Sequence, residues 1–365
     1  MEKVDILIIG AGAVGLAIAN ELANEHEDVV LVEKEKSFGR HTSSRNSEVI
    51  HSGIYYPQNT LKAELCLEGN ELLYEFLSEH EIPHKNCGKL VVAASESEIE
   101  PLKELMLNGK RNNVPNLSLI DEKECKAMEP EVKAKKGLLV PSTGIFDTHK
   151  FMQKLESLAE DNDAFILYGM EVISITPKEN KYVVEFQNGE KFMVNTVINS
   201  AGLNADKIAE MVGIDIVKHK LKIHLCKGEY YKTNQKRNIK KLIYPRPDPH
   251  GIYLGIHLTM NLNNEIRFGP NAYYVDEIDY SMDDRHKTDF LKSVNTYLDI
   301  KAEDIHMDDT GIRPKLQGPN DDFRDFYIKE ESQKGYANFI NLIGIESPGL
   351  TASLAIANKV KKLLD

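Results

Sequence analysis

The sequence predicts an α/β nucleus with parallel strands, joined to a second layer of α+β character whose strands run mostly antiparallel. Three observations carry this. The apolar run Val4 to Ile9, the turn Gly10-Ala-Gly12-Ala-Val-Gly15 opening a helical pattern through Leu22, and the run Val29 to Glu33 together spell β-α-β. Asn188-Gly189 separates the strand-like runs Tyr182 to Phe186 and Lys191 to Ile198, a hairpin signal. Residues 221 to 271 alternate polar and apolar positions between Gly and Pro punctuation, as antiparallel strands do.

The remaining elements follow in order. A Ser/Thr/Arg/Asn-rich loop, Gly39 to Ser47, precedes an amphipathic helix over Leu61 to His80, with Leu65, Leu72, Leu73, Phe76 and Leu77 at helical spacing. From Cys87 the pattern gives a strand Lys89 to Ala94, a charged helix Glu96 to Asn108, a strand Leu117 to Ile120, a helix Glu122 to Ala127 and a strand Gly137 to Pro141. A helix Thr148 to Ala159 and a strand Glu171 to Thr176 come before the hairpin, and a helix starts near Asp206. Toward the end come a helix Asp283 to Leu298, a strand Phe339 to Ile343 and a helix Leu350 to Leu364.

A chain of 365 residues, 41% hydrophobic and 28% charged, is ordinary globular material for one large or two interleaved domains. Its formal charge of -12 argues against a general nucleic-acid binder, because phosphate neutralisation needs clustered cations. Cys66, Cys87, Cys125 and Cys226 form no C-x-x-C pair, so neither a metal site nor a dithiol motif is expected, and reduced thiols suit a cytoplasmic location. The acidic start lacks a basic leader region, and no apolar run reaches the roughly 18 residues of a membrane span. Peripheral contact with a membrane stays open.

The Gly10, Gly12 and Gly15 turn follows a strand and opens a helix, and Glu33 ends the next strand roughly 20 residues on, which is the full context of a dinucleotide fingerprint. The glycines admit a pyrophosphate, the helix N-terminus offers free N–H groups, and Glu33 accepts ribose hydroxyls. The turn alone does not separate FAD from NAD. The loop Thr42, Ser43, Ser44, Arg45, Asn46 and Ser47, rich in hydroxyl and amide groups, suits the diphosphate and ribityl chain of FAD. Small residues ahead of the last helix, Gly344 to Thr351, leave N–H groups for the ring edge of a flavin.

Seven segments now resemble one family: Thr42 to Pro57, Gly88 to Val92, Lys227 to Tyr230, Leu254 to His257, Gly269 to Ala272, Gly311 to Pro314 and Ser347 to Thr351. Together they are similar to the L-2-hydroxyglutarate dehydrogenases of the D-amino-acid-oxidase-like superfamily. The resemblance implies a Rossmann-like FAD-binding domain of discontinuous segments, 1-86, 142-216 and 332-365, with an antiparallel-sheet substrate domain over 87-141 and 217-331. It also implies that Val172, Ala201, Gly202, Arg313, Ser347, Pro348, Gly349, Leu350 and Thr351 join the cofactor site, with FAD held non-covalently. Two departures stand out: Glu48, where the family more usually has Gly, and Glu346, where it is often uncharged or basic. Glu346 is expected to face away from a carboxylate substrate.

Oxidation of L-2-hydroxyglutarate to 2-oxoglutarate needs a hydride acceptor, a base and groups that hold carboxylates. His257 and His51 are the candidate bases, since an imidazole titrates in the right range. Arg313 suits bidentate carboxylate binding, with Tyr56, Tyr253 and Lys227 as further substrate-binding candidates. An amine oxidase of the glycine/sarcosine type and a glycerol-3-phosphate dehydrogenase-like enzyme share the implied fold. The electron acceptor (oxygen, a quinone or a carrier protein) is left open by the residues.

Overall fold

A computed structural model describes residues 1–246 and 255–364. The chain divides into two compact units, each built from separated segments. The first comprises 1–44, 148–225 and 313–365, and the second 45–147 and 226–312. These boundaries differ from the expected domains, since 45–86 fall in the second unit and 313–331 in the first.

The first unit is organised on an eight-stranded sheet. Strand β1 (Glu2–Ile9) lies parallel to β2 (Val29–Glu33) on one side and to Lys191–Asn199 on the other. Burial on both faces is why Ile6 to Ile9 reads as a continuous apolar run rather than an alternating one. Strand Lys191–Asn199 is shared along its length: its first half forms the antiparallel hairpin with Lys181–Phe186, and its second half runs parallel to Tyr336–Ile343. Between β1 and β2 lies α1 (Ala13–Ala23), whose small residues let it pack against the helices Thr148–Asp161 and Ser353–Lys361. Lys361 Nζ reaches Glu21 at 2.9 Å and Glu25 at 2.7 Å, tying the last helix to α1.

In the second unit a nine-stranded sheet is mostly antiparallel. Within it Leu242–Pro245 lies parallel to Lys89–Ala93, a join that unites two stretches of chain far apart in sequence. The core beneath it includes Leu90, Val91, Leu138, Leu258, Phe268 and Tyr297. Helix Leu61–Glu79 starts where the Thr60 hydroxyl accepts the Ala63 N–H at 3.2 Å.

Most expected elements are present, with shifted ends. The charged helix begins as a 3-10 turn, Glu96–Glu98, and continues as Ile99–Arg111; the later one is a 3-10 turn, Asp284–His286, followed by Lys287–Val294. Among the strands not expected are Phe165–Tyr168, Ile305–Lys315 and Tyr327–Glu331. The second of these hides its pattern behind charge. Its Asp308 carboxylate takes Arg267 at 2.5 Å and Lys232 at 3.2 Å from other strands, so a strand rich in acids is stabilised by ion pairs.

Candidate active site

The dinucleotide turn is built for close approach. A side chain on Gly15 would meet the Gly10 carbonyl oxygen at 1.9 Å, so only hydrogen fits where the helix leaves the strand. Gly10 itself has φ +107, a backbone region that favours glycine. No side chain caps α1 from Gly12, and the N–H groups of Gly12, Val14 and Gly15 meet no acceptor among the described residues. The Ser43 hydroxyl accepts the Ala13 N–H at 3.0 Å, placing the predicted serine at this helix end. Glu33 accepts Ala11 N–H at 2.9 Å and Glu35 N–H at 2.9 Å, which fixes its carboxylate beside the turn with lone pairs left for hydroxyl donors. A helix end with open N–H groups, no Cβ at the turn and a fixed carboxylate is the donor and acceptor set of a pyrophosphate with its ribose, so these residues fit FAD.

Other expected cofactor residues of the first unit have varied surroundings. Ser44 N–H donates to the His41 carbonyl at 3.2 Å, a turn that carries Thr42 and Ser43. Val172 opens a strand opposite Phe186. The Ala201 N–H donates to Asn199 Oδ1 at 3.3 Å, and Gly202, at φ +55, has open space where a Cβ would stand. Pro348 accepts from Ala352 N–H at 2.9 Å and Leu350 from Ser353 N–H at 3.3 Å, which turns the segment Ser347 to Thr351 into the last helix. A side chain on Gly349 would meet the Glu346 carbonyl at 2.7 Å. Arg313 lies in the strand Ile305–Lys315 with its side chain partly exposed.

Glu346 is buried, and its two oxygens take Lys315 Nζ at 3.0 and 2.8 Å. The carboxylate that would repel an acid is neutralised inside the first unit, which the expectation of a side chain turned away did not foresee. Glu48 has φ +55, so the position favours glycine for a conformational reason. Its N–H donates to Asn46 Oδ1 at 2.8 Å, closing an Asx turn.

The second unit holds the remaining candidates. Arg45 is held at Asp309 (2.7 Å) and over the Tyr280 ring (4.2 Å), and the Ser47 hydroxyl lies 2.9 Å from Tyr230. Lys227 is buried, with Nζ 3.2 Å from Asp279 and 2.5 Å from the Ser281 carbonyl. Tyr56 is buried with Ala63 and Cys66, and Tyr253 lies outside the described residues.

His51 keeps partial exposure, and its carbonyl is pinned by Asn70 at 2.8 Å and Cys66 at 3.6 Å, both on helix Leu61–Glu79. Burial of its ring, with the nearby Lys89 charge second, lowers its pKa to about 3, so it is a neutral imidazole at ordinary pH. His257 is buried, its ring stacked on Tyr244 at 3.6 Å and 10°. The sequence reading does not single out Lys89 as a site residue. Its ammonium is fully buried over the rings of Tyr55 (4.5 Å) and Tyr244 (4.7 Å).

The FAD dependent oxidoreductase family model matches residues 5–363. The mitochondrial L-2-hydroxyglutarate dehydrogenase of Arabidopsis thaliana is 38% identical, over 98% of this chain and 83% of that protein. The L-2-hydroxyglutarate dehydrogenase of Indibacter alkaliphilus is 30% identical over 97% of both. Among solved structures, L-alpha-glycerophosphate oxidase from Mycoplasma pneumoniae with FAD bound superposes with a TM-score of 0.87 at 27% identity, covering 100% of this chain and 95% of that one. Glycine oxidase from Geobacillus kaustophilus shares the fold, with a TM-score of 0.83 at 18% identity over 100% of this chain and 95% of its own. With the helix end, the ribose carboxylate and these matches in agreement, the chain belongs to the FAD-dependent oxidoreductase family and, within it, to the L-2-hydroxyglutarate dehydrogenases.

Proposed function

We propose that the protein oxidises L-2-hydroxyglutarate to 2-oxoglutarate. The observation that carries the reading is the open helix end of α1 with Glu33 fixed beside it, which fits FAD, in a chain that belongs to the L-2-hydroxyglutarate dehydrogenases. The names of the relatives at 38% and 30% identity support the substrate. FAD, when bound, would supply the hydride acceptor for C2 of the substrate. Gly10, Gly12, Gly15, Glu33 and Ser43 hold that cofactor by its pyrophosphate and ribose, with the segment Ser347 to Thr351 and the residues around Ala201 completing its seat. His51 takes the proton from the substrate hydroxyl; His257, closed against Tyr244, is the alternate. Arg313 binds a carboxylate.

Anaerobic reduction of the bound flavin against a panel of acids tests the reading. L-2-hydroxyglutarate should bleach the flavin fastest. Faster bleaching by glycine or sarcosine would replace it with amine oxidation, and by glycerol 3-phosphate with the activity named for the Mycoplasma pneumoniae neighbour. Reoxidation by oxygen, a quinone or a carrier protein then identifies the electron acceptor. Acid precipitation should release the yellow colour into the supernatant, because the contacts proposed for FAD are non-covalent; colour kept in the pellet would mean a covalent link.

Arg313→Lys should raise the substrate concentration for half-maximal flavin reduction about tenfold or more, roughly 1.4 kcal/mol. A lysine cannot reproduce two parallel hydrogen bonds to a carboxylate. If the variant handles every acid as its parent does, Arg313 is structural. For location we propose a reducing compartment, the cytoplasm, on the strength of four free buried thiols; cell fractionation tests it, the Arabidopsis relative being mitochondrial by name. No helix among the described residues is long and apolar enough to cross a membrane.

A further inference from the structure

Lys89 lies where a lysine is least expected. It opens the strand Lys89–Ala93, in which all five residues are buried, and that strand is paired on both sides, with Val140 beside Lys89 in one neighbour and Leu242 in the other. The backbone is therefore fixed, and the side chain does not snorkel to water, the residue being 0% exposed. Its Nζ has neither a hydrogen-bond acceptor nor an ion pair among the described residues. Two other buried lysines show the contrast: Lys227 has Asp279 at 3.2 Å and Lys315 has Glu346 at 2.8 Å. A buried ammonium without an anion regains nothing for its lost hydration, and a methionine of similar length would suit the place better.

What surrounds the ammonium is aromatic. Nζ stands 4.5 Å from the centroid of the Tyr55 ring and 4.7 Å from that of Tyr244, and the two rings lie near parallel, 15° apart in plane and 6.4 Å between centroids. Ring faces attract a cation but accept no ordinary hydrogen bond, so the N–H donors of Lys89 stay unused. The Tyr55 hydroxyl is a further buried group without a partner. The turn that carries Tyr55 is anchored at the end of helix Ile99–Arg111. Asn108 Nδ2 donates to the carbonyls of Ile54 (2.8 Å) and Tyr56 (3.0 Å), and Asn112 Nδ2 to those of Gly53 (3.0 Å) and Tyr56 (2.8 Å). Lys89 is thus held by its strand and Tyr55 by this turn, and both residues belong to the second unit.

A cation and a hydroxyl that are buried in contacting side chains, fixed in place and lacking an acceptor form the donor set of a carboxylate site. The ring faces beside them suit methylene groups. The acid that fits carries its carboxylate on a short methylene chain. We propose that Lys89, with the Tyr55 hydroxyl, binds the substrate carboxylate remote from C2, and so selects a dicarboxylate over a 2-hydroxy acid that ends in a methyl group. The proposal rests on the reading of L-2-hydroxyglutarate as substrate. A chain of formal charge -12 repels a dianion at a distance, so its selection falls to a local cation. Tyr55 is partly exposed whereas Lys89 and Tyr244 are buried, so the acid enters as the Tyr55 ring turns on its anchored backbone.

The test uses the FAD-loaded protein and two pairs of acids. L-2-hydroxyglutarate and L-2-hydroxypentanoate differ only in a carboxylate against a methyl group at the remote end, and anaerobic flavin reduction gives the rate and half-saturation for each. Glutarate and pentanoate, which have no hydroxyl to oxidise, form the same pair for binding, followed through the flavin spectrum. Lys89→Met should lower the preference for L-2-hydroxyglutarate about tenfold or more, and weaken glutarate by a similar factor, while the methyl-ended acids behave as in the parent. Tyr55→Phe keeps the ring beside the ammonium and removes only the hydroxyl, and should lower the same preference about threefold or more. Circular dichroism and flavin content establish that each variant is folded and loaded; if Lys89→Met does not fold, Tyr55→Phe decides. A preference unchanged in the variants, or a loss that falls equally on both acids of a pair, would overturn the proposal. A parent whose flavin L-2-hydroxyglutarate does not reduce would sink the substrate reading instead, and Lys89 would then be judged by glutarate against pentanoate.

Discussion

His51→Asn should slow the limiting rate of flavin reduction by L-2-hydroxyglutarate about 100-fold or more, the usual contribution of a positioned base, with the yellow colour retained. Asn matches the imidazole in size and polarity but does not take a proton. The loop that carries it should survive, because Asn70 and Cys66 hold the backbone carbonyl of residue 51 and not its ring. The pH dependence is distinctive. An ordinary histidine would lose its free base below about pH 6.5, whereas burial and the Lys89 charge lower His51 to about 3, so the parent should keep its reduction rate well below pH 6.5. The same shift acts on folding. The unfolded chain protonates this histidine as pH falls through 6.5, the folded chain not until about 3, so His51 withdraws stability as the solution is acidified across that window. Stopped-flow reduction under anaerobic conditions checks the rate. If His257→Asn removes the activity and His51→Asn leaves it, the base is the buried ring on Tyr244.

Gly12→Val should weaken FAD binding by at least about 100-fold, roughly 2.7 kcal/mol, and yield largely colourless protein. Its backbone, at φ -80 and ψ 176, is open to any residue, so the fold tolerates the change. What fails is space. Even a Cβ at this position stands 3.0 Å from the Ser43 hydroxyl, and the two further methyl groups of valine must displace that serine and cover the open N–H groups of α1. Gly15→Val is the poorer experiment, since the 1.9 Å approach to the Gly10 carbonyl would break the turn itself. Flavin content per folded chain, from absorbance beside circular dichroism, measures the effect. Full occupancy in Gly12→Val would remove the turn from the cofactor site.

The parts of this design visible in the sequence are those set by local rules. The turn at Gly10 to Gly15 is legible because a strand, a helix start and a distant acid must coincide, and Asn188-Gly189 because two residues of turn chemistry fix a hairpin. Strand Phe165–Tyr168 escaped because it is four residues long and leaves Phe165 60% exposed at a sheet edge. Strand Ile305–Lys315 escaped because its acids find partners only across strands. The Lys315–Glu346 pair joins residues 31 apart through the fold, and no pattern along the chain announces it. Lys89 is a different case. The strand Lys89–Ala93 is buried at every position, so a lysine opening an otherwise apolar run was a signal available to be read.

The ion pair between Lys361 and Glu21 has a meaning in the time domain. Its partners are 340 residues apart, so a ribosome adding about 5–20 residues each second makes α1 roughly 20–70 s before the helix that packs on it. Strand β1 likewise waits for Lys191–Asn199, and that strand for Tyr336–Ile343. The second unit has all its residues once Ile312 is made, while the first must await its last segment. The glycine turn that opens the chain is therefore translated early and completed late. Throughout that interval the face of α1 that receives the last helix lacks its cover, which makes the nascent chain a client for chaperones that shield apolar segments until synthesis ends.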